Sequence, residues 1–217
     1  MDPVLSALTI GALGFLLGVR HAVDPDHVVA VGTIATHHTS FRRAAGIGAL
    51  WGLGHTVTIL GVGGTIILLR VAISPRVGLA MEFAVALMLI ALGLINVASA
   101  RHVNAPAPSA ARPLAVGMVH GLAGSAAVAL LILATVSDTV WSIAYLLLFG
   151  AGTILGMILV TAVIALPASL AVARMASSRR WLTFASGVVS LVFGLILARE
   201  LTGLGGLFSD VPSWTPH

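Results

Sequence analysis

The chain of 217 residues contains no cysteine, its eleven basic residues are all arginine, and its acidic side chains number only seven. Without cysteine there are no disulfides, no thiolate metal sites and no dithiol carrier of reducing equivalents. The arginines are scattered through short loops rather than gathered in a patch, which excludes nucleic acid as a partner. Charged residues make up 8% of the chain, against roughly a quarter in a soluble domain, too few to cover a solvated surface of this size. No phosphate-binding GxxxxGK loop occurs, so direct ATP hydrolysis is excluded. HExxH and GxSxG are missing as well. The N-terminus opens into an apolar helix with no basic segment before it, so no removable signal peptide is expected.

What the chain has in quantity is hydrocarbon. Apolar residues reach 59% and the mean hydropathy is +1.10, values that belong to a protein dissolved mainly in lipid. Apolar runs near residues 3–36, 46–69, 77–99, 114–135, 141–172 and 182–202 are each long enough to cross the bilayer. The expectation is an all-α polytopic membrane protein with six transmembrane helices, a single transmembrane domain over residues 1–217, set multi-pass in the cytoplasmic membrane. The connections at 37–43, 101–113 and 177–180 leave no room for a soluble domain. Loops after the first, third and fifth runs carry seven arginines and the opposite side carries three, which places both termini outside by the positive-inside bias.

The two halves resemble each other at an offset of about 99 residues. GVRHAVDPDHVVAV (18–31) lies over GMVHGLAGSAAVAL (117–130), WGLGH (51–55) over FGAGT (149–153), and GLI (93–95) over GLI (194–196). Repeats of three crossings, about 3–99 and 114–202 with a linker at 100–113, must face opposite ways across the membrane. Inverted repeats of this kind are typical of secondary transporters, with the substrate near the midplane where they meet. Chance similarity among Gly-, Ala- and Leu-rich helices is the alternative.

The segment Arg20-His21-Ala22-Val23-Asp24-Pro25-Asp26-His27 places five ionisable side chains within eight apolar-flanked residues. Residues 3–36 as one helix would span roughly 51 Å, well beyond the hydrocarbon. Asp24-Pro25 supplies an N-cap and an N1 proline for a fresh start, so the first helix is expected to be discontinuous there. Pro25 has no N–H for the carbonyl of His21, which should leave that oxygen loose. On a regular helix, at about 100° per residue, His21, Asp24, Asp26 and His27 point in four directions. Unwinding lets them converge. Two imidazoles and two carboxylates suit a borderline divalent cation such as nickel, cobalt or zinc, and the two negative charges would neutralise it in low dielectric. The competing reading is a solvated loop at the membrane surface.

His55 and His120 lie in the second and fourth runs among small residues, as further ligands or proton relays, or as plain interhelical hydrogen-bonding groups. His120 aligns with His21 across the repeat. Glu82 is a relay carboxylate or snorkels to the interface. Arg20 screens the aspartates or pairs with one of them. His37, His38 and His102 sit in polar loops, where solvation accounts for them, and Met118 and Met157 read as packing residues.

RHAVDPDHV resembles the RHAxDADHI signature of the nickel/cobalt transporter family, with Pro25 in place of the usual alanine, and Gly54-His55-Thr56 is similar to that family's Gly-His-Thr/Ser on the next helix. The likeness is firm over the first two helices. Larger permeases of the family have eight crossings and a later acidic stretch resembling LGFDTATE, whereas FGAGTILGM (149–157) carries no acid, so the chain looks most like the short, urease-accessory-type branch. The resemblance implies that His21, Asp24, Asp26, His27 and His55 take part in metal binding or passage. It implies a secondary transporter, not an enzyme, with no resident cofactor: Ni2+, with Co2+ as second cargo, would be its substrate and uptake its direction. Export of the same metals is the alternative, and an intramembrane metal-dependent hydrolase using His21, His27 and an aspartate is the rival of a different class. Nickel-enzyme maturation proteins are the implied macromolecular partners.

Overall fold

Inside a bilayer each backbone N–H and C=O must find its partner within the protein, and every regular element among the described residues is helical. The structure, a computed structural model, describes residues 3–35, 41–70, 73–100, 111–135, 138–174, 176–203 and 206–214. His37, His38 and His102 lie outside them. The elements are α1 (Pro3–His21), α2 (Pro25–Ala35), α3 (Phe41–Thr58), a π-helical turn (Ile59–Gly63), α4 (Gly64–Leu69), α5 (Pro75–Ser99), α6 (Ala111–Thr135), α7 (Thr139–Arg174) and α8 (Ala176–Gly203).

Four stretches among the described residues are long and apolar enough to cross a membrane, Arg42–Leu69, Pro75–Ser99, Thr139–Pro167 and Arg180–Gly203. The chain is an all-α, multi-pass membrane protein. Local chemistry sets its helix starts. Asp138 Oδ1 accepts the N–H groups of Val140 (2.8 Å) and Trp141 (3.1 Å) at the head of α7, and Pro75 opens α5 behind an extended Ser74. One bound differs from the sequence expectation: the second crossing starts at Phe41 rather than near 46, whereas α7 runs on through Pro167 to Arg174 although that proline offers no N–H to the carbonyl of Val163. The π-helical turn was not foreseen. It falls on ILGVG, where Gly61 and Gly63, followed by Gly64, loosen the backbone's preference for regular α winding.

Glycines let the helix backbones touch. A Cβ on Gly18 of α1 would collide with the carbonyl of Phe149 in α7, and one on Gly117 of α6 would collide with the carbonyl of Trp51 in α3. The order of such contacts gives directions. Along α1 and α7, Gly14 meets Tyr145, Gly18 meets Phe149 and Ala22 meets Gly156, so these helices run parallel. Trp51 with Gly117 and His55 with Gly121 make α3 and α6 parallel, while Gly48 with Met157 and Thr56 with Gly150 make α3 and α7 antiparallel. Gly93 against Leu191 and Gly194 against Ala86 make α5 and α8 antiparallel. Buried polar groups close these seams: Asn96 Nδ2 donates to the Thr33 carbonyl at 2.7 Å and Ser190 Oγ to the Leu89 carbonyl at 2.8 Å.

Candidate metal centre

The first helix breaks within the expected segment. α1 ends at His21, α2 begins at Pro25, and the turn between them is tightened by Val23 N–H to the Arg20 carbonyl (3.0 Å) and Asp24 N–H to the His21 carbonyl (3.1 Å). The His21 oxygen is therefore not left loose, a correction to the sequence reading: with Pro25 unable to donate, the amide one residue earlier takes its place. Asp24 stands at the N-cap, its carbonyl receiving Val28 N–H at 3.1 Å. Asp26 lies in the first turn of α2, where the helix dipole favours a negative charge, and its Oδ1 accepts the His27 backbone N–H at 3.0 Å.

Unwinding brings the ionisable groups of α1 and α2 to those of α3 and α6. The ring centres of His27 and His120 stand 4.1 Å apart, His21 and His27 4.5 Å, and His55 lies 5.2 Å from both His21 and His27. His27, His55 and His120 are all buried. Ligand atoms of His21, His27 and His55 fall within 4.8 Å of one another, as do those of Asp26, His27 and His120, so two triads share His27.

Carboxylates grip three of the imidazoles from one side. Asp24 Oδ2 lies 2.7 Å from His21 Nδ1, Asp26 Oδ1 lies 3.1 Å from His27 Nδ1, and Asp26 Oδ2 lies 2.9 Å from His120 Nε2. An ionised carboxylate only accepts, so each contacted nitrogen carries its proton and each neutral ring turns a lone pair the other way. Those remaining nitrogens, His21 Nε2, His27 Nε2 and His120 Nδ1, are buried without a hydrogen-bond partner, and so are both nitrogens of His55. A buried polar atom left unsatisfied costs about 1–3 kcal/mol. Carboxylate on one nitrogen and a bare lone pair on the other is how proteins prepare histidine to bind a metal.

Of the six residues singled out from sequence, five supply donors to the two triads, and Asp24 stands behind His21 as its hydrogen-bond partner. Arg20 is exposed and makes none of the ion pairs seen at this site among the described residues. Met157 is buried in the core, as its packing role implies, whereas Met118 is exposed. Sequence reasoning missed Trp51. It is fully buried, its indole stacks on His27 at 6.1 Å and meets His120 at 5.9 Å, and its Nε1 has no partner. One signal was available: Trp51 lies four residues before His55 and so on the same helix face. Phe149, 5.5 Å from His21, closes another side.

A multi-pass helical bundle that buries three imidazoles, and gathers a half-buried imidazole and carboxylate to them, around unspent lone pairs belongs to the class of metal-handling membrane proteins. Residues 7–105 match the family described as high-affinity nickel-transport protein. The chain is 36% identical over 225 residues, 96% of its own length and 98% of the relative's, to urease accessory protein UreH of Bacillus sp. (strain TB-90). No solved structure matches. The chain belongs to the high-affinity nickel-transport protein family. It is a transporter rather than an enzyme, and nickel stands to it as cargo rather than cofactor.

Proposed function

We propose that the chain is a secondary transporter carrying Ni2+, with Co2+ as second cargo, into the cytoplasm through the His21, Asp24, Asp26, His27, His55 and His120 cluster. The observation that carries this reading is the pairing of carboxylate-held imidazoles with buried, unpartnered nitrogens on their far sides. Imidazole nitrogens suit Ni2+ and Co2+, and Asp24 and Asp26 offset the dication's charge. Asp24 acts through His21, holding its ring and tautomer. The name of the relative, a urease accessory protein, favours delivery inward to nickel-enzyme maturation proteins.

Six crossings in two inverted repeats are the frame that fits the site. Packing contacts recur across the halves at the spacing found in the sequence. Gly18 on Phe149 is answered by Gly117 on Trp51, Gly152 on Phe15 and Val19 by Gly54 on Leu114 and Met118, and Gly93 on Gly187 and Leu191 by Gly194 on Ala86 and Ile90. The helix directions that contacts fix, α1 with α7, α3 with α6 and against α7, and α5 against α8, fit six successive crossings. Single cysteines at positions 178 and 213, in a chain with none of its own, are expected to label from opposite faces, with residue 213 outside. Labelling from one face would remove both the topology and the inversion.

The deciding experiment is uptake of radioactive nickel into proteoliposomes of set orientation, with cobalt and zinc as competitors. Inward accumulation suppressed by cobalt supports the reading. Nickel leaving loaded vesicles in the export sense reverses the direction, and absence of any flux overturns it.

A further inference from the structure

The cavity around the cluster, of about 320 Å³, has a carboxylate outside both triads. Glu82 of α5 lines it together with Asp24, Asp26 and His120. Glu82 lies two turns into α5, at the end of the bundle where α4 stops and the 206–214 segment lies. Its Oε1 accepts the indole N–H of Trp214 at 2.8 Å.

Trp214 reaches Glu82 because the segment 206–214 doubles back from the end of α8. Gly206 takes the left-handed conformation (φ +64°), and Ser209 N–H returns to the Gly206 carbonyl at 2.8 Å, closing the turn. Leu207 N–H is tied to the Leu201 carbonyl at 3.1 Å. The segment then lies over the start of α5. Arg76 donates to the Ser209 carbonyl at 3.0 Å, Phe208 meets Phe83 edge-on at 6.4 Å, and the Trp214 ring covers Gly78, where any Cβ would collide with the indole. The strap thus ends on a side chain that also lines the metal cavity.

We propose that Glu82 is the recruiting carboxylate at the mouth of the transport path and that Trp214 is its positioning residue. This rests on the reading of the histidine cluster as the transport site. A single negative charge in a low-dielectric cleft concentrates dications there before a ligand exchanges. The indole N–H is an uncharged donor, so its bond holds the carboxylate while adding no positive charge. A structural clasp would need only an acceptor at position 82, and an amide serves as well as an acid. Recruitment needs the charge.

That difference is the test. Initial rates of radioactive nickel uptake into oriented proteoliposomes are measured against nickel concentration for the parent, Glu82→Gln, Glu82→Asp, Trp214→Phe and the Glu82→Gln/Trp214→Phe double variant, each normalised to protein in the membrane. Glu82→Gln keeps the acceptor and is expected to raise the half-saturating nickel concentration about tenfold, with the change in half-saturation rather than in maximal rate. Glu82→Asp, which keeps the charge, recovers most of the loss. Trp214→Phe keeps the ring on Gly78 and removes the N–H, and is expected to raise half-saturation about threefold. The double variant should be no worse than Glu82→Gln alone, because Trp214 acts through the carboxylate. Unchanged half-saturation in Glu82→Gln, or effects that multiply in the double variant, would overturn the inference. His27→Ala run beside them separates the two readings. If it transports like the parent, the cluster itself is misread; if it is dead while Glu82→Gln is normal, only the mouth is.

Discussion

Residues 18–31 and 117–130 align residue for residue, begin with the same glycine contact and carry a histidine at the same place, yet they do different things. In the first, the helix stops at His21 and restarts at Pro25. In the second, α6 runs unbroken from Ala111 to Thr135 through the positions where Asp24, Pro25, Asp26 and His27 have Ala123, Gly124, Ser125 and Ala126 as counterparts. The bundle therefore does not need the break for packing, since the matching seam closes without one. The break exists where the carboxylates and imidazoles are. On the proposed repeat and site, the scaffold would be shared between the halves and the chemistry concentrated in one, with His120 the contribution of the other.

If so, damage to the chemical half should be far more severe than damage to the shared scaffold. Asp26→Asn and His27→Ala are each expected to lower nickel transport by at least about a hundredfold, with normal amounts of folded protein in the membrane, because each removes a charge or donor that water cannot replace. His37→Ala and His38→Ala serve as controls and should transport like the parent. Near-parental uptake in both site variants would show that the broken helix is not where the metal passes.

Proton competition is the next effect in size, and it measures what the second half contributes. Neutral imidazole is the ligand and its ordinary pKa is near 6.5, so apparent nickel affinity should fall between roughly pH 7 and 5, by up to about tenfold per unit for each proton displaced. Calorimetric titration in buffers of different ionisation enthalpy counts those protons. His120→Ala should release fewer than the parent if its Nδ1 is a ligand; equal release would leave the chemistry wholly with α1, α2 and α3.

The smallest effects should be equal in the two halves. Gly18→Leu and Gly117→Leu both force a side chain into a facing carbonyl, and each is expected to cost about 1–3 kcal/mol in unfolding measured in detergent. A large loss for one and none for the other would mean the glycine seams are not equivalent.

The legibility of the molecule followed the same division. His21, Asp24, Asp26 and His27 stood out because charge in an apolar run is costly wherever it occurs, and Asp24-Pro25 announces a helix start by local chemistry alone. His120 stood out as a histidine in an apolar run, and its register with His21 strengthened the reading. The orientation of the groups was not legible across elements: that Asp26 turns to His120 as well as to its neighbour His27 depends on how α6 approaches α2, which no local pattern encodes. Trp51 looked like any apolar residue, since its place beside two imidazoles arises from α3 packing on α6. The strap was invisible for the opposite reason. Residues 206–214 have no periodicity, and a tryptophan near the end of a polar tail gives no sign of a partner 132 positions away.

His27 belongs to both triads, but Asp26 already holds its Nδ1, so it has a single nitrogen, Nε2, to give. For an ion held as proposed, filling one triad empties the other of its common ligand. On that proposal the site is a turnstile rather than a queue: nickel bound to saturation in detergent should count one ion per chain, and no excess of metal outside should press a second ion in behind the first.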